Sequence, residues 1–72
     1  LETLVSARKE ASVTQVELGE RLGRRQTFVS SFERGDRRLD VIEFYAIAKA
    51  LGYEPEKLFA RLAKQLPPHV EI

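Results

Sequence analysis

The chain has 72 residues, 43 % hydrophobic and 32 % charged, with 12 basic against 11 acidic side chains and a net charge of +1. That length holds one hydrophobic core and so one domain, residues 1–72, and no apolar run approaches the roughly 18 residues a membrane span needs. The absence of cysteine excludes disulfides, thiolate metal sites and a cysteine nucleophile, and fits a reducing cytosol, so a cytoplasmic location is expected.

The periodicity is helical throughout. Leu1, Leu4, Val5, Ala7, Arg8 and Ala11 predict a first amphipathic helix that fades near Ser12. Thr14 with Glu17 three residues on is a capping box, in which hydroxyl and carboxylate each take an orphan amide. It opens a second helix over about 14–22, with Leu18 and Leu22 inward, stopped at Gly23. A third helix spans about 25–34, with Val29 and Phe32 on one face, and ends at Gly35. Asp40 and Glu43 form a second capping signal, starting a fourth helix through Val41, Phe44, Ile47, Ala48 and Leu51 to Gly52. Pro55 suits a first turn and opens a fifth helix through Leu58, Phe59, Leu62 and Leu66. Pro67 and Pro68 stop all helix, leaving His69 to Ile72 as a loose or partner-held tail. Nothing alternates as a strand would, so the expected fold is all-α: a compact five-helix domain.

The charge is unevenly spread. Residues 21–38 carry six arginines, Arg21, Arg24, Arg25, Arg34, Arg37 and Arg38, against Glu33 and Asp36, a local balance of +4, while the rest of the chain is at −3. Arginine forks two donors onto a phosphate or a guanine edge. Thr14 to Gly35 places two short helices across a glycine-containing turn, the helix-turn-helix plan. Gly19 lies mid-helix, where glycine costs about 1 kcal/mol relative to alanine; a small residue there lets the next helix cross closely.

Thr14-Gln15, Leu18, Gly19 in a small-residue slot, Gly23, Val29-Ser30 and Glu33-Arg34-Gly35 resemble the Cro/cI-type, or XRE-like, repressor DNA-binding domain. Arg8, six residues before Thr14, and the run Ile47-Ala48-Lys49-Ala50-Leu51-Gly52 extend the resemblance over residues 4–62. It implies a lambda-repressor-like fold with a central helix-turn-helix, binding double-stranded DNA as a homodimer and acting as a repressor. The third helix resembles the recognition helix, which enters the major groove. Gln26 matches the family's base-reading glutamine, whose amide pairs with adenine N6 and N7. Gln15 matches the position that holds a phosphate and braces that glutamine. Arg34, Arg37 and Arg38 lie where relatives contact the DNA backbone, and Arg24 and Ser30 join them as expected phosphate contacts; Ser30 serves local packing equally well. Relatives pair the residues matching Arg8 and Glu33, so these form an expected structural ion pair.

Chemistry adds three base-contact candidates. Arg25 stands where relatives often carry Ser, Thr or Pro, which weakens the helix cap but brings a guanidinium within reach of guanine O6 and N7. Thr27 offers a hydroxyl or a methyl, and Ser31 follows one turn on. Phe28 either touches a thymine methyl or packs inward.

No enzyme is expected: His69 is the one histidine, and no base accompanies the serines. Neither a metal site nor a cofactor is expected. The rival reading is an antitoxin or protein-interaction module of the same superfamily, with a toxin or other protein as partner. Leu58, Phe59, Leu62 and Leu66 span more of the fifth helix than one small core needs and are the candidate dimer contact, with Ile42 and Tyr45 on an adjoining face. The arginine-rich loop favours DNA, since a pure interaction module does not need cations there.

Overall fold

Residues 2–72 are described in the computed structural model, which contains α1 (Glu2–Glu10), α2 (Gln15–Leu22), α3 (Gln26–Arg34), α4 (Val41–Leu51) and α5 (Pro55–Ala63), and no strand among them. Both capping boxes form. Thr14 Oγ1 accepts from the Glu17 amide while the Glu17 carboxylate accepts from the Thr14 amide; Asp40 and Glu43 exchange the same pair of bonds. Between α2 and α3 the chain turns through Gly23 at φ 68°, a left-handed conformation that only glycine adopts without a Cβ clash.

The core is drawn from all five helices: Leu4 and Ala7 of α1, Leu18 of α2, Val29 and Phe32 of α3, Ile47, Ala48 and Leu51 of α4, and Leu58 of α5, with Val13 from the first loop. Around it, α1 is tied to the end of the chain by polar contacts. Arg61 forks onto the Glu10 carboxylate at 3.1 and 2.7 Å, and the Tyr53 hydroxyl donates to the same carboxylate. The buried Thr3 hydroxyl donates to Gln65 Oε1.

The first helix fades where the sequence predicts, with Ala11 and Ser12 in a turn after Glu10 and Ser12 left-handed at φ 59°; Leu1 lies outside the described residues. The fifth helix is shorter than expected and ends at Ala63, three residues short of Leu66. Its last amides, Gln65 and Leu66, bond to carbonyls only three residues back, the tightened turn that ends many helices, and a residue before proline is pushed out of the α region. The candidate dimer surface shrinks accordingly. Leu58 and Leu62 are buried in the domain's own core, while Phe59 and Leu66 remain about half exposed.

Gly19 of α2 packs directly against the peptide of the turn that leads into α3. A Cβ there would meet the Arg24 carbonyl oxygen at 2.9 Å and the Arg25 carbonyl carbon at 3.2 Å. The Arg24 amide bonds to the Gly19 carbonyl at 2.8 Å, so the missing side chain seats the turn that delivers both arginines. Gly19→Ala regains about 1 kcal/mol of helix propensity against the displaced peptide. Gly19→Val adds two methyls with no space for them and is expected to cost about 1–3 kcal/mol, read as a lower melting temperature than the alanine variant. A valine variant that melts with the parent means the peptide moves aside freely.

Candidate nucleic-acid interface

The first turn of α3 points outward: Arg25, Gln26 and Thr27 are exposed, and Ser31 is half-buried one turn on. Arg25 is the N-cap; its donor-only guanidinium cannot cap the helix, and the side chain is exposed. The Ser30 hydroxyl donates to the Thr27 carbonyl at 3.2 Å, so its proton is occupied and only its lone pairs are open.

Gln26 does not hang free. Its Nε2 donates to Gln15 Oε1 at 2.9 Å, and Gln15 Nε2 donates to Glu33 Oε1, also at 2.9 Å. An ionised carboxylate only accepts, so Glu33 fixes which end of the Gln15 amide faces it. Gln15 must then present its oxygen to Gln26, and Gln26 must turn its NH₂ toward Gln15. One N–H of that NH₂ and the Gln26 carbonyl oxygen stay open, the donor and acceptor that an adenine edge complements.

Glu33 is held in turn by Arg8. Arg8 Nε reaches Oε2 at 2.6 Å and Nη2 reaches Oε1 at 3.1 Å, while Nη1 donates to the Val13 carbonyl at 3.0 Å. The side chains are only 11 % and 6 % exposed, so this pair is screened little by water. Burial pushes the Glu33 carboxyl up, but the hydrogen bonds from Arg8 and Gln15, with the Arg8 charge, outweigh it and hold the group below the usual carboxylate range.

The cations lie to either side. Arg34 pairs with Asp36 at 2.9 Å, both more than half exposed, a contact of little energetic weight in water. Arg38 makes no side-chain hydrogen bond or ion pair among the described residues. Arg24 and Arg37, expected at phosphates, also have partners within the domain. Their guanidinium carbons lie 4.5 and 4.8 Å from the centre of the Phe28 ring, and both reach Glu43 of α4. Phe28 is half-buried and meets Phe32 edge-on at 5.5 Å. Sequence reading gave Glu43 only its capping role; its second role depends on chain segments that sequence spacing does not bring together.

A helix-turn-helix family model, HTH_3, matches residues 4–58. The chain belongs to this helix-turn-helix family. A solved structure described as an XRE-family like protein from Pseudomonas syringae pv. tomato shares 45 % identity with this helix-turn-helix chain at a TM-score of 0.82, covering 92 % of it and 80 % of that chain. An uncharacterized HTH-type transcriptional regulator of Sinorhizobium fredii, y4dJ, is 47 % identical over 45 residues, 62 % of this chain and 58 % of the relative. The match thus spans less than two thirds of that relative's length. The domain is an XRE-like helix-turn-helix DNA-binding domain. None of its described helices is long and apolar enough to cross a membrane.

Proposed function

We propose that this domain binds a specific double-stranded DNA site as a homodimeric repressor, with α3 in the major groove. Arg25, Gln26, Thr27 and Ser31 meet base edges; Gln15, Arg24, Ser30, Arg34, Arg37 and Arg38 meet phosphates. The observation that carries this reading is the chain of bonds from Arg8 through Glu33 and Gln15 to Gln26. It aims an exposed amide in one orientation before any ligand is present, and preorganisation of that kind limits the side-chain ordering that binding requires.

Phe59 and Leu66 are the exposed apolar side chains for the dimer contact. Phe59 meets Phe44 edge-on at 6.0 Å, and the two line a groove with Leu39 and Val41. One observation favours the antitoxin or interaction-module reading as a second function. Val41, Ile42 and Tyr45 of α4 are 78, 73 and 55 % exposed, and large apolar side chains grouped on one exposed helix suit a protein-interaction surface.

Selection of bound sequences from a random duplex pool tests the first reading. It should return an adenine at one position of each half-site, and Gln26→Ala should erase that preference, a bidentate contact being worth about 1–3 kcal/mol of discrimination, while melting with the parent. An unchanged preference removes Gln26 from base readout. A pool with no enriched sequence favours the interaction module.

A further inference from the structure

Glutamine serves as well as glutamate at the third helical position of a capping box, so capping α4 does not require the negative charge of Glu43. That charge lies beside the proposed DNA face, where a carboxylate repels the polyanion. Its two oxygens accept from Arg37 Nη1 at 3.0 Å and Nη2 at 2.8 Å, and Oε2 lies 3.7 Å from Arg24 Nη2. Both guanidiniums also rest on Phe28. Three segments converge on this cluster: the turn before α3 brings Arg24, the loop after α3 brings Arg37, and α4 brings Glu43.

Arg37 is well occupied but not exhausted. Nη1 also donates to the Arg38 carbonyl at 2.9 Å, so three of the five guanidinium donors are used and Nε with one Nη2 hydrogen remain for a phosphate. The Arg37 hydrogen bonds and the Asp40 amide hold the Glu43 carboxyl down to about 2. The contact therefore stays charged across ordinary pH.

We propose that Glu43 is a positioning residue that sets the ratio of specific to non-specific DNA binding, by holding Arg24 and Arg37 in one direction against Phe28. This rests on the reading in which those arginines meet phosphate. At a matched site they are already aimed, so little ordering is lost on binding. On random duplex the protein meets phosphates in any register, and there the carboxylate competes for the guanidiniums and weakens the contact.

The test is Glu43→Gln, which keeps the capping box and removes the charge. Affinity is measured across a salt series on the selected site and on a random duplex, with Glu56→Gln on α5 as a control for the same change in net charge. On random duplex the affinity of Glu43→Gln should rise about three- to tenfold, and its log–log salt slope should steepen by about 0.9 per phosphate newly met. The selected site should gain less, so the ratio falls, and Glu56→Gln should do neither. In an Arg24→Gln/Arg37→Gln background the further change Glu43→Gln should have no effect, because its targets are gone. Unchanged affinity and slope on random duplex, an equal gain on both duplexes, or a gain that survives in that background overturns the inference. A parent that binds neither duplex overturns the DNA reading, and this inference with it.

Discussion

Glu33→Ala is expected to cost about 3–5 kcal/mol of folding free energy, because among the described residues it leaves the buried guanidinium of Arg8 with the Val13 carbonyl alone as partner. For a domain of this size 1 kcal/mol corresponds to about 4–8 °C, so the melting temperature should fall by about 12 °C or more. Replacing both partners with apolar residues, as in Arg8→Met/Glu33→Leu, should recover most of the loss, since no charge is then stranded. A fall of only about 4 °C for Glu33→Ala would mean that water already solvates the pair. Acid provides a second readout. The folded Glu33 carboxyl lies below its unfolded value of about 4.3, so the folded state binds fewer protons there. The stabilisation is complete above that unfolded value and is lost as pH falls through the lower folded one. Glu33→Gln should therefore melt with a shallower acid dependence than the parent.

Inserting half a helical turn, about five base pairs, between the half-sites should reduce affinity about 10²–10⁴-fold, to the level of one half-site. One domain presents a recognition surface a few base pairs wide, too little to single out a site among the roughly 10⁶–10⁹ competitors of a genome. A two-fold axis doubles it, and the recognition helices then enter successive major grooves on one side of the duplex, about 34–36 Å apart. Five extra base pairs turn one half-site to the far side; a full turn brings it back and should restore part of the affinity. Phe59→Lys should reduce the parent to the same single-site level with only a small fall in melting temperature, because half of that ring is already in water and its one ring contact among the described residues is the edge-on pair with Phe44. Equal affinity at all three spacings would mean that each domain binds alone.

The second prediction depends on a surface that was only half legible in the sequence. Leu58, Phe59, Leu62 and Leu66 share an apolar stretch, and periodicity alone does not divide it between core and partner. Leu58 and Leu62 are a helical turn apart, on the line that faces the core, and Phe59 is one step round the helix. Leu66 leaves the helix because Pro67 follows it. Gln26 shows a similar division. The glutamine and its brace were visible through family resemblance, but the direction of its amide depends on Glu33, 18 residues along the chain from Gln15.

The sequence by itself determined the helices and the turn of this protein. Capping boxes at Thr14–Glu17 and Asp40–Glu43, and a glycine at the left-handed end of α2, place donor, acceptor and backbone angle within a few residues of one another. Such signals act locally and need no tertiary context. Gly19 marked a close backbone approach through a local signal too, an unfavourable residue kept inside a helix, although what approaches it is the turn before α3. Only the tertiary structure decided which charges meet. Arg8, Gln15 and Glu33 come from three helices, and Arg24, Arg37 and Glu43 from two connections and the start of α4. Which side chains are brought together is set by how the apolar faces pack, and that packing is a property of the whole core.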